Sequence, residues 1–97
     1  MAKKRERLEV VNDILVAIRN SKNGLGPTRL LYASNLSPQM FRDYIEELVD
    51  SGLIEEQEEE KRKKDKRARK IYVLKEDGYR FLERYEIFSS FVDSIGL

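Results

Sequence analysis

The chain has 97 residues, of which 40% are hydrophobic and 38% are charged, and its formal net charge is only +1. This length fits a single domain with one modest core, and the near-neutral total leaves the local distribution of charge as the guide to partners. The absence of cysteine and histidine excludes disulfides, an ordinary zinc site, and Ser-His or Cys-His nucleophilic pairs. We therefore expect no enzyme activity and no cofactor.

Targeting and membrane signals are also missing from the sequence. The longest apolar runs are a few residues, whereas a bilayer span needs about 20. The basic start MAKKRER is followed by LEVVNDIL rather than by a continuous apolar segment, which argues against a signal peptide. We expect a cytoplasmic protein whose partners include neither a membrane nor a small-molecule ligand.

The first two predicted elements are helices. Apolar residues recur at helical spacing between about Glu6 and Ser21, which predicts an amphipathic helix. Gly24 and Gly26 end it, because glycine readily takes the positive φ of a turn. Pro27 then occupies a typical first helical position and opens a second helix of about two turns.

The pair Ser37-Pro38 is the clearest start signal in the chain. A serine cap satisfies free N–H groups and contributes about 1 kcal/mol, and proline presets φ at the next position. A third helix is predicted from Pro38 to Ser51, with Gly52 as its stop. Its buried side is predicted to carry Phe41, Tyr44, Ile45, Leu48 and Val49.

A charged stretch lies between two short extended segments. The first begins at Leu53-Ile54, and the second covers residues 71–74. Residues 55–60 carry a charge of −5 and residues 61–70 a charge of +7. A hairpin with its tip near Lys64-Asp65 would place the acidic arm across from the basic arm. A helix would instead place Glu58 four residues before Arg62, a spacing that favours an ion pair. The sequence leaves both conformations open.

A fourth helix is predicted from a turn or helix entrance at Asp77-Gly78 to about Ile95. Apolar residues along it alternate at spacings of four and three, the pattern of a coiled-coil seam. Leaving such a stripe in water is costly, so we predict a homodimer, the alternative being a monomer in which this helix folds back on the first. The predicted dimer interface contains Phe81, Leu82, Tyr85, Phe88, Phe91, Val92 and Ile95.

The order of elements predicts a mainly α fold with a small β-hairpin. Two helices joined by a tight turn and followed at once by a hairpin form a winged helix-turn-helix. We assign residues 1–75 to this domain and residues 76–97 to a C-terminal coiled-coil helix for dimerisation.

Such a fold presents the start of its third helix to the major groove of duplex DNA, while the acidic end of that helix should point away. Gln39 could pair with adenine and Arg42 with guanine or phosphate. Thr28 and Arg29 suit a phosphate contact at a helix N-terminus. The full set of predicted DNA-binding residues is Lys3, Lys4, Arg5, Thr28, Arg29, Ser37, Gln39, Met40, Arg42, Lys63, Lys64, Lys66, Arg67 and Arg69.

Two runs, LSPQMFRDYIEELVDSGLIEE and IYVLKEDGYRFLERY, resemble the small winged-helix chromatin proteins of crenarchaea, the roughly ten-kilodalton dimeric DNA-binding proteins of Sulfolobus. The resemblance covers about residues 8 to 95. It implies an antiparallel coiled-coil dimer through the last helix. It also implies DNA binding with little sequence preference, through Ser37, Gln39, Arg42 and the basic arm 61–69.

Two functions remain open at this point. The first is a dimeric DNA-binding protein with an architectural or transcription-regulatory role. The second is a winged-helix module for protein–protein interaction without direct DNA binding, which the near-neutral charge and the acidic end of the third helix support.

Overall fold

The computed structural model describes residues 3–59 and 69–96, and the side chains of 7–58 and 69–96. It confirms a mainly helical fold with one antiparallel hairpin. The elements are α1 (Lys3–Arg19), α2 (Pro27–Ser34), α3 (Pro38–Asp50), β1 (Ile54–Glu59), β2 (Arg69–Leu74) and α4 (Glu76–Ser94).

The core lies where the apolar faces of all these elements meet. Ile14 and Leu15 of α1 are fully buried at its centre, which follows from the helical spacing of the apolar residues on that helix. The cluster also contains Val11 and Ile18 of α1 and at least one residue of every other element: Leu30, Phe41, Ile45, Leu48, Ile54, Tyr72 and Leu82. No buried polar side chain in the described part of the chain lacks a hydrogen-bond partner.

The charged stretch forms a hairpin as far as the structure describes it. β1 and β2 pair antiparallel from Ile54 opposite Leu74 to Glu59 opposite Arg69. Glu58 therefore lies in a strand, which excludes the helical alternative for this end of the stretch. In the backbone register Glu58 pairs with Lys70 and Glu59 with Arg69, as the hairpin alternative required, while its expected tip near Lys64-Asp65 lies outside the described residues.

A third extended segment pairs with β2 on its other edge, which the sequence analysis missed. The backbone N–H of Leu25 donates to the Tyr72 carbonyl oxygen at 3.0 Å, and the N–H of Tyr72 donates back at 2.9 Å. Gly24 allows this approach, because it has a φ of +87° and a Cβ there would lie 2.8 Å from the same carbonyl oxygen. The link between α1 and α2 is thus tied to the hairpin.

Tyr72 is buried at the centre of this arrangement. Burial raises the pKa of its phenol, and the negative charge of Glu56, its partner across the ladder, raises it further. Both effects favour the neutral phenol, in keeping with its place among apolar side chains.

The last helix begins earlier than the sequence indicated. Gly78, predicted in a turn or at the entrance, lies inside the first turn of α4, which starts at Glu76. A Cβ at Gly78 would collide with the carbonyl oxygen of Leu53, which itself accepts a hydrogen bond from the N–H of Lys75 at 3.0 Å. Close contact with the start of the hairpin therefore sets the position of α4.

Replacing Gly78 by alanine tests this contact. In an unconstrained helix the change stabilises by about 1 kcal/mol. Here we expect Gly78→Ala to lower the free energy of unfolding by about 1–3 kcal/mol, because the added methyl group overpacks the site. Urea unfolding at one fixed protein concentration measures it.

Gly26→Ala is the matched control, because a Cβ at Gly26 would meet its nearest neighbour at an ordinary 3.6 Å. We expect this control to change stability by less than about 1 kcal/mol. A Gly78→Ala variant more stable than the wild type would contradict the described packing.

Candidate nucleic-acid interface

The start of α3 is fixed by a side-chain cap. Ser37 has an extended backbone, and its Oγ accepts a hydrogen bond from the N–H of Met40 at 3.3 Å. Pro38 follows as the first helical residue. The predicted start of α3 at Ser37-Pro38 is confirmed. It determines which residues form the exposed first turn of the helix.

The two faces of α3 divide sharply. Phe41, Ile45 and Leu48, at spacings of four and three, are buried in the core. Apart from the half-buried Tyr44, the other residues of the first two turns are exposed, including Met40 at 48%. The four exposed side chains that follow Pro38 are Gln39, Met40, Arg42 and Asp43.

Three of these exposed side chains form a hydrogen-bonded chain. Arg42 Nη2 donates to Gln39 Oε1 at 3.1 Å, and Gln39 Nε2 donates to Asp43 Oδ1 at 3.2 Å. Gln39 and Arg42 were predicted separately as DNA contacts, whereas Asp43 was not predicted. Their spacings of three and four residues were a usable signal, because such residues are neighbours on a helix surface.

The second half of α3 is acidic and exposed, at Glu46, Glu47 and Asp50. One of these charges is compensated, because Arg7 of α1 forms an ion pair with Glu47 and lies 5.3 Å from the centre of the Tyr44 ring. The start of α1 is therefore held against α3. The predicted contacts Lys3, Lys4 and Arg5 belong by their backbone to the same helix, and their side chains lie outside the description.

A second exposed surface lies on α2. Thr28 and Arg29 stand in its first turn, at a helix start where Gly26 provides no side-chain cap. Tyr32, which is 76% exposed, follows them at spacings of four and three and so shares their face. Tyr32 was not among the predicted DNA contacts, because one aromatic residue on a two-turn helix is ordinarily assigned to the core.

The hairpin carries charge of both signs. Arg69 and Lys70 are exposed at the start of β2, and the Lys70 ammonium lies 3.6 Å from the Glu56 carboxylate.

Residues 3–59 and 69–96 contain 13 basic and 16 acidic residues, a net charge of −3. The other predicted wing contacts fall outside the described residues: Lys63, Lys64, Lys66 and Arg67.

The predicted dimer stripe divides between the two halves of α4. Leu82 was predicted to lie in the dimer interface. Its side chain is only 5% exposed and belongs to the core of its own chain, so it is not available to a partner. Phe81 and Tyr85 are half-buried and stacked, with ring centres 5.9 Å apart. Phe88, Phe91 and Ile95 are more than half exposed, and Val92 is half-buried.

Two structural features are absent from residues 3–59 and 69–96. No group of three or more acidic side chains there is arranged to hold a metal ion. Among the helices of these ranges, none is both long and apolar enough to span a bilayer.

The helix pair, the hairpin and the capped third helix define a known architecture. A family model described as "Winged helix-turn-helix" matches residues 4–92. The chain belongs to this family. The fold predicted from the order of elements is thereby confirmed.

Individual relatives extend the comparison. The crystal structure of Sso10a-2, a DNA-binding protein from Sulfolobus solfataricus, matches 91% of this chain and 82% of its own, with a TM-score of 0.68 and 26% identity. The predicted resemblance to small Sulfolobus proteins is thus confirmed. Uncharacterized protein MJ0290 of Methanocaldococcus jannaschii is 34% identical over 83 residues, 86% of this chain. The chain spans only 33% of that relative's length.

Removing the cap of α3 should destabilise the whole domain, because this helix supplies three core residues. We expect Ser37→Ala to lower the free energy of unfolding by about 1 kcal/mol, and Ser37→Gly by a few tenths. Ser37→Asp, which retains a capping oxygen, should remain close to the wild type. Denaturant unfolding of the three variants checks this order, and an alanine variant as stable as the aspartate variant would contradict the capping role.

Proposed function

We propose that this protein binds duplex DNA, with the first two turns of α3 in the major groove and the end of the hairpin against the backbone. The observation that carries the proposal is the capped, exposed and polar start of α3 in a member of the winged helix-turn-helix family. Helices in this position read base edges from their N-terminal turns. The name of Sso10a-2 as a DNA-binding protein supports the same function.

The charge distribution indicates which residues must provide affinity. Because residues 3–59 and 69–96 carry a net charge of −3, attraction to phosphate has to come from local concentrations of positive charge. The largest is the +7 of residues 61–70, in the sequence that connects Glu59 to Arg69 and enters β2. We assign phosphate contacts to Lys63, Lys64, Lys66, Arg67 and Arg69, with release of condensed counterions as the driving force.

Further phosphate contacts are proposed at two helix starts. Thr28 and Arg29 lie at the uncapped start of α2, where backbone N–H groups and the helix dipole favour an anion. Lys3, Lys4 and Arg5 precede Arg7, which the ion pair with Glu47 holds beside α3. These contacts position the protein on DNA without reading its sequence.

A second copy of the chain is proposed as the other partner. The second half of α4 exposes Phe88, Phe91 and Ile95 by more than half, and burying each large apolar side chain contributes about 1.5–3 kcal/mol. Phe81 and Tyr85 continue this stripe into a groove that Leu8 and Leu53 also line. In the proposed homodimer, residues 76–97 would join two winged domains, residues 1–75, and so place two α3 helices on one duplex.

One observation favours the competing function of protein docking. α3 exposes four carboxylates, at Asp43, Glu46, Glu47 and Asp50, and phosphate repels carboxylates. A winged domain that docks on a basic protein would use this same face. Duplex binding measured across salt concentrations distinguishes the two functions, because docking on protein gives no affinity for mixed-sequence duplexes.

Neutralising the basic tract should weaken binding to every duplex alike. We expect the combined replacement of Lys63, Lys64, Lys66 and Arg67 by alanine to make the negative slope of log K against log salt less steep by about 3 to 4. Each lost phosphate contact accounts for about 0.9 of this slope. Fluorescence anisotropy with random and palindromic duplexes measures this change. A clear preference for palindromes would favour a regulatory role, and equal affinities an architectural one.

Arg80→Ala is the control, because Arg80 is a cation on α4 that Glu76 and Asp77 already neutralise at 3.4 and 3.2 Å. We expect it to retain wild-type affinity. A salt slope that the fourfold variant leaves unchanged would rule out the tract as the source of affinity.

Disrupting the stripe on α4 should separate the two copies. Phe88→Asp places a charge in the proposed interface, and sedimentation equilibrium should then give the single-chain mass of 11.5 kDa rather than twice that value. Ser90→Asp, two residues on and therefore on the opposite side of the helix, should leave the dimer intact. A single-chain mass for the wild type, or a dimeric Phe88→Asp, would refute this interface.

A further inference from the structure

The hydrogen-bonded chain on α3 fixes the orientation of one amide group. An arginine side chain only donates hydrogen bonds, and a carboxylate only accepts them. Because Arg42 donates to one end of the Gln39 amide at 3.1 Å and Asp43 accepts from the other at 3.2 Å, the oxygen must face Arg42 and the nitrogen must face Asp43. Asp43 and Arg42 together prevent the amide from flipping.

The remaining hydrogen-bonding groups of Gln39 and Arg42 match those on the edges of bases. Gln39 retains one N–H and one oxygen lone pair, which are the donor and acceptor that adenine takes in the major groove. Arg42 has five N–H groups and uses one on Gln39, so a pair remains for the O6 and N7 atoms of guanine. Residues three apart rise about 4.5 Å along a helix, close to the 3.4 Å between base pairs, so the two contacts fit neighbouring positions.

We propose that Asp43 is a positioning residue that gives this surface a sequence preference, for duplexes with adenine and guanine at adjacent base pairs. The proposal rests on the duplex-binding function given above and goes beyond it, because phosphate contacts alone carry no sequence information. Asp43 acts through Gln39. Its own negative charge, on the exposed face of α3, opposes the phosphate backbone and lowers affinity for every duplex equally.

A pool of duplexes with a randomised centre tests the proposal. The wild type should enrich neighbouring adenine and guanine, with a loss of roughly tenfold for each of the two base pairs replaced. Asp43→Ala should bind the unselected pool roughly two- to fivefold more tightly, because a negative charge is gone, and should lose most of the enrichment. A carboxylate that acted through charge alone would change pool affinity without changing the enrichment.

Two further variants separate positioning from charge. Asp50→Ala makes the same substitution two helical turns, about 10 Å, further along the same side of α3, and should retain the enrichment. Asp43→Glu keeps an acceptor within reach of Gln39 and should restore it.

Each remaining outcome is decisive. A wild type that binds the pool without enrichment, or an Asp43→Ala variant that retains the wild-type enrichment, overturns the role of Asp43 and leaves duplex binding standing. A wild type that does not bind the pool overturns both proposals.

Discussion

Burial of Phe41, Ile45 and Leu48 is the constraint on which the rest of the structure depends. These three side chains fix the rotation of α3 about its own axis, so that Gln39, Arg42 and Asp43 point to solvent. The Ser37 cap determines the residue at which α3 begins. The buried and the exposed residues lie on the same helix. A substitution that turned α3 about its axis to repack the core would therefore also reorient the residues proposed to contact DNA.

Positive and negative charges are unevenly distributed along the chain. The described part of the chain carries a net charge of −3, and the proposed attraction to phosphate is concentrated in the tract of residues 61–70 and in the first residues of the chain. At the end of the ladder farthest from Ile54, Glu58 pairs with Lys70 and Glu59 pairs with Arg69 in the backbone register. In the proposed complex, affinity would thus depend on short basic segments, whereas any sequence preference would depend on α3.

The sequence predicted the features that rest on local chemistry. The sequence left the charged stretch open between a hairpin and a helix, whereas the Ser37-Pro38 start and the helical spacing of the core residues could be predicted because each involves neighbours along one element. The pairing of Leu25 with Tyr72, the place of Gly78 inside α4 and the burial of Leu82 could not. Each depends on a contact between segments distant in sequence. Asp43 was missed because the exposed residues of the third helix were considered one by one, without pairing neighbours at spacings of three and four.

The most direct test of the account is an NMR titration of the ¹⁵N-labelled chain with a mixed-sequence duplex. It maps the surface that meets DNA without any substitution. We expect the largest amide shift changes in residues 37–43 and at the hairpin end beside Arg69, with the second half of α4 unchanged. Changes confined to α4 or to the acidic end of α3, or no change at low salt, would contradict the proposed DNA-binding surface.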